Sequence, residues 1–126
     1  MKVPNRVSRY GGALKRFSDP KICWKVVDTA EGQTILEGEV PAGSPVVYPA
    51  NKGAWNKISI RVKRFIPLAT DNGQEFGWSP VNERITYQIG VEVQPDTFDP
   101  NPENVSTNGI HCWADHRAAK HWLAKR

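Results

Sequence analysis

Apolar and polar residues alternate along several short stretches of this 126-residue chain and one long one. From Ile85 to Val93 every odd position is apolar (Ile85, Tyr87, Ile89, Val91, Val93), the period-two signature of a strand with one buried face. A run over 21–29, with Cys23, Trp24, Val26 and Val27, predicts a second strand. Glu31-Gly32 turns it into a third over 34–40, which makes a hairpin. Ile58, Ile60 and Val62 alternate with Lys57, Ser59, Arg61 and Lys63, so a fourth strand is expected over 57–66. Its parity slips at Arg64-Phe65, which reads as a bulge. Shorter strands are expected at 46–48 and 110–113.

Other stretches carry turn chemistry or helical spacing. Pro95, Pro100 and Pro102, among several Asp and Asn, take the chain out of the sheet between about 94 and 108. Asp71-Asn72-Gly73 opens a loop over 70–82. Asp115 suits the N-cap of a helix over 115–125, in which Ala118, Ala119, Trp122 and Leu123 form one apolar stripe. So short a helix is marginal alone and is expected to dock through Trp122. Gly11-Gly12 rules out a helix near the N-terminus, so residues 1–20 read as an irregular basic arm. The fold class is α+β: a small sheet of about five strands, antiparallel or mixed, with one C-terminal helix packed on it. Residues 1–126 read as one domain, in which 85–126 form a strand, loop, strand and helix unit.

Composition adds limits. Hydrophobic content of 39% and charged content of 24% are ordinary for a globular protein, and no apolar run approaches the length of a membrane span. Met1 to Asn5 opens no signal peptide, so a cytoplasmic location is expected. Cys23 and Cys112 each precede a Trp in an expected strand, and small buried free thiols are the default there. Of the five Trp, Trp24, Trp113 and Trp122 are expected inside, and Trp55 and Trp78 partly exposed.

The net charge of +4 conceals segregated blocks: seven cations and one anion over 1–27, but seven anions and one cation over 66–105. Such blocks can neutralise one another in the folded state. They also define a basic face for an acidic partner, with Arg9, Tyr10, Lys15 and Arg16 from the arm and Lys57, Arg61 and Lys63 as a ribbon on one strand face. Trp55 and Trp78 supply aromatic contact surface, and cations interleaved with Tyr10 and Phe17 also suit nucleic acid.

Tyr87-Gln88-Ile89-Gly90, Pro95-Asp96, Phe98-Asp99, Ser106-Thr107 and Gly109-Ile110-His111, followed by Ala118-Ala119, resemble a domain family of bacteriophages and giant viruses that has no assigned function. Val105 stands where that family carries Cys, which argues against a metal or thiol role. The resemblance implies a small intracellular binding module acting on a host or viral macromolecule, an inhibitor of a host defence system among the options. A protein partner comes first and nucleic acid second.

Chemistry-bearing motifs are sparse. No phosphate loop, GxSxG or HExxH is present. His116 and His121 lie about 140° apart round a helix, so no metal site is expected, and no cofactor. His111, beside the acidic loop of Asp96, Asp99 and Glu103, is the histidine open to a functional role; otherwise it fixes the Gly109 turn. An enzyme reading joins His111 to Tyr87 and one of those carboxylates, by analogy with small folds that bind NAD for ADP-ribosyl transfer.

Overall fold

The computed structural model describes residues 6–7, 12–49, 59–79, 85–104 and 108–124. Their elements in chain order are β1 (Arg6–Val7), β2 (Ala13–Arg16), β3 (Lys21–Thr29), β4 (Gly32–Val40), β5 (Pro45–Tyr48), β6 (Ser59–Val62), β7 (Ile66–Thr70), β8 (Phe76–Trp78), β9 (Thr86–Gln88), β10 (Ile110–Trp113) and α1 (His116–Ala124). The strands form one sheet in the order β1-β2-β5-β6-β10-β3-β4-β7, with β8 on β3 and β9 on β8. Every described pair is antiparallel.

Among the described residues ten strands replace the expected five or so. Within the N-terminal arm Arg6–Val7 and Ala13–Arg16 are strand, because Ala13–Arg16 pairs with β5 from Ala13↔Tyr48 to Arg16↔Pro45 and β1 pairs with β2 in turn. A four-residue strand is too short to show a period. The strand expected over 57–66 is two. β6 lies between β5 and β10 while β7 lies on β4, and the parity slip at Arg64-Phe65 marks the crossing from one part of the sheet to the other. The loop over 70–82 contains β8. The long strand over 85–93 shortens to β9, after which Gly90 N–H donates to Pro67 O (2.8 Å) and Val93 bridges Phe65. The odd positions there fall into two environments: Tyr87 and Val93 are buried, whereas Val91 is 48% exposed.

β3 and β4 are the regular centre, paired over nine positions from Lys21↔Val40 to Thr29↔Gly32. The other edge of β3 is shared, by β10 at Trp24↔Trp113 and by β8 at Asp28↔Trp78. One face of this fork gathers Cys23, Val27, Leu36 and Val40 with Ile60, Val62, Ile110 and Cys112 into a single core. Both thiols are free and buried. The Cys112 thiol at hydrogen-bond range, together with burial, pushes the Cys23 thiol well up.

Phe65 locks the two parts of the sheet together. Its ring, fully buried, meets Tyr87 edge-on at 5.8 Å and lies over Gly38 of β4, where a Cβ would come within 2.2 Å of the ring. Gly38 is thus a space left for an aromatic, not a flexible joint. The opposite face of β3 and β4 carries α1. Asp115 Oδ1 accepts the Arg117 N–H (2.8 Å) as an N-cap, and the fully buried residue on the helix is Ala119. Trp122, expected to be the anchor, is half-buried. The Trp24 ring packs 5.6 Å from His116. No helix among the described residues is long and apolar enough to cross a membrane.

Gly38→Ala forces a methyl into the Phe65 ring and should destabilise by about 1–3 kcal/mol in urea unfolding. Phe65→Leu in that background should recover part of the loss. Additive effects of the two changes would mean that they do not share this space.

Candidate functional site

β6 alternates. Ile60 and Val62 enter the core, so Arg61 is carried to the other face, between Val47 of β5 and His111 of β10 in register. There the loop after Val93 crosses the sheet and covers it. Arg61 is 0% exposed. Its Nε donates to Asp99 O (2.8 Å), Nη2 to Asn101 O (2.9 Å) and Nη1 to Asn104 O (3.0 Å), so one guanidinium gathers three carbonyls of a single loop. Burial lowers its pKa, and the nearby Asp99 charge opposes that shift. A planar fork is required for this geometry, and Lys has none.

The loop is shaped to offer those carbonyls. Asp99 Oδ1 accepts the Asn101 N–H (2.8 Å), Asp99 Oδ2 accepts from Asn104 Nδ2 (2.8 Å), and Asn101 Oδ1 accepts the Glu103 N–H (3.0 Å), a run of Asx turns. Its far end closes where Asp99 N–H donates to Asn108 O. Gly109 follows at φ 144°, and a Cβ on it would lie 2.5 Å from Arg61 Cγ, so glycine is required both by its backbone and by the side chain beneath. The segments Phe98-Asp99 and Gly109-Ile110-His111 therefore enclose a clamped arginine.

Clamping the loop raises a wall. Phe98 and Pro100 stand opposite Leu14 and Arg16 of β2, Pro45 of β5, and Lys63 just beyond β6, around a cleft of about 230 Å³. Arg16 Nη1 donates to Gly43 O (2.7 Å), which orients its guanidinium, and Lys63 is exposed. Among the described residues lining the cleft there are two cations and no carboxylate. The carboxylate of Asp99, between Phe98 and Pro100, is turned into the loop.

The expected binding residues divide accordingly. Arg9, Tyr10, Lys57 and Trp55 lie outside the described residues. Lys15 is exposed, but by register it shares the side of Val46, and its Nζ sits 5.3 Å over the Tyr48 ring; Arg16, the next residue, takes the cleft side. Trp78 is 42% exposed on β8 beside Phe76 and does not line the cleft. Arg61 is the correction: it lies on the expected strand face, yet it is a buried clamp and not part of a solvated ribbon.

Nor do the enzyme candidates converge. Tyr87 is 1% exposed in the core with Phe65, Ile110 and Cys112, whereas His111, one residue on from Ile110, is on the opposite face with Arg61. What joins them is Lys25, which strand reading passed over. It is 7% exposed, donates from Nζ to His111 O (2.9 Å) and sits 5.8 Å over the Tyr87 ring. The signal was a lysine inside the apolar run from Cys23 to Val27. No group of three or more His, Cys, Asp or Glu among the described residues is placed to hold a metal.

Fold and site together define an α+β domain whose antiparallel sheet presents a cation-rimmed cleft walled by a clamped loop. The chain belongs to a family of unknown function: the family model described as "Family of unknown function (DUF5758)" matches residues 8–119. No curated protein and no solved structure matches it.

Arg61→Met keeps the bulk but leaves three partly buried carbonyls without their donor, and should destabilise by about 3 kcal/mol or more in urea unfolding. Arg61→Lys should recover less than half of that. Wild-type stability in either variant would contradict the clamp.

Proposed function

We propose that this protein is a binding module that recognises an acidic macromolecule through the cleft between Arg16 and Lys63. The observation that carries this reading is the cleft's lining: two cations and an aromatic ring around a concave surface, with the Asp99 carboxylate directed into the loop. Preset donors favour binding, because little side-chain or loop entropy is left to lose on association. A resemblance to bacteriophage and giant-virus domains supports reading such a module as one that works in the cytoplasm of an infected cell, with a host or viral partner and an antidefence role among its uses.

An NAD-using or ADP-ribosyl-transferring enzyme is less well supported. His111 and Tyr87, its two candidate residues, sit on opposite faces of the sheet. A reacting group cannot lie within hydrogen-bond reach of both.

Capture from host lysate, with and without nuclease, tests the reading when wild type and Lys63→Glu are compared. Lys63 is exposed, so the variant should melt within about 0.5 kcal/mol of wild type while losing the captured partner. Arg16→Glu should lose it too. Capture that survives both reversals would rule out the cleft as the binding surface.

A further inference from the structure

We propose, building on the reading of the cleft as an anion-binding surface, that it takes one nucleotide unit of a single-stranded nucleic acid, with phosphate on Arg16 and Lys63 and the base against Phe98. Three features of the cleft select this ligand over other anions.

The first is the pairing of charge with flat apolar surface. Arg16 and Lys63 share the lining with the Phe98 ring and the rings of Pro45 and Pro100. An acidic peptide would satisfy the cations and leave the Phe98 ring unused. A duplex would offer phosphates but keep its bases stacked inside. A single strand supplies phosphate and a free base face from the same nucleotide, the combination that stacking platforms in basic grooves use.

Size is the second. A cleft of about 230 Å³ is smaller than a drug-sized pocket and too small for a helix or strand of a partner, but it suits a single ring with its phosphate. Third is the local field. The carbonyls of Asp99, Asn101 and Asn104, which would otherwise repel an anion, point to the Arg61 guanidinium, and the Asp99 carboxylate is held by Asn101 and Asn104. The clamp therefore turns those carbonyls and the Asp99 carboxylate inward and holds the wall rigid.

β1 adds to β2 with Arg6 in register opposite Leu14, a cleft-lining residue. Phe17, just after β2, has Lys21 Nζ 5.1 Å over its ring and packs against the core, whereas Phe98 lines the cleft and supplies the stacking face.

The test is fluorescence anisotropy on the full chain with labelled ten-nucleotide oligo-dT and oligo-U, a hairpin duplex and hexaglutamate. Either single strand should bind more tightly than duplex or peptide. One phosphate contacted in the cleft predicts a log–log salt slope of about −0.7. Phe98→Ala should weaken the single strand by about tenfold or more, Phe98→Tyr should retain it, and Lys63→Gln should weaken it and make the slope shallower. A melting curve on each variant separates loss of stacking from loss of the loop, and Lys63→Gln, at an exposed position, serves if Phe98→Ala unfolds. Hexaglutamate or duplex binding as well as single strand, or unchanged affinity in folded Phe98→Ala, would overturn the nucleotide assignment and leave an anion-binding cleft. Binding of none of the four probes would overturn both.

Discussion

One buried guanidinium holds the functional face of this domain in place. Arg61 lies at 0% exposure under the loop it binds, and its Nε, Nη1 and Nη2 each donate to a backbone carbonyl of that loop. Burying a cation costs several kcal/mol even after relaxation. Three charge-assisted bonds at about 1.5–3 kcal/mol each offset that cost and leave a net contribution near zero. Arg61 thus contributes specificity more than stability: a loop with three prolines and no ladder partner has one arrangement in which these carbonyls are satisfied. Gly109 belongs to the same device, since a side chain there would occupy the space of the arginine stem.

The clamp can form only because the sheet delivers Arg61 to it. β6 sits between β5 and β10, so its backbone is paired on both edges and its side-chain directions are fixed. Phe65, three residues beyond Val62, then ties this part of the sheet to the β4 side by filling the space above Gly38. Core packing, strand register and loop geometry therefore act in series. The cleft is their product, and its shape is present before any ligand arrives, which is the condition for strong binding by few contacts.

How much of this could be read from the sequence depended on length and on what covers each face. β3 and β4 were legible because nine residues each suffice for a pattern, and α1 because Asp115 caps a clear stripe. β1 and β8, of two and three residues, were not, because pairing and not periodicity makes them strands. Arg61 shows a different limit. Alternation with Ile60 and Val62 assigned its face correctly, but which loop lies over that face depends on contacts 38 to 43 residues away along the chain. The same limit applies to His111 and Tyr87. Their neighbourhood in the motif suggested a shared site, whereas strand parity places them on opposite sides of one sheet. Arg16 and Lys63 were legible as cations of a basic face, and the cleft between them was not, because Phe98 and Pro100 come from the clamped loop.

The most direct measurement of the clamp is hydrogen exchange at the Arg61 Nε–H, followed by nitrogen-15 NMR near neutral pH. A guanidinium closed under residues 99–104 gives a sharp Nε–H resonance that is protected far beyond those of exposed arginines such as Arg117. Exchange at the rate of Arg117 would show Arg61 open to water, and would contradict both the clamped loop and the preset cleft that it walls.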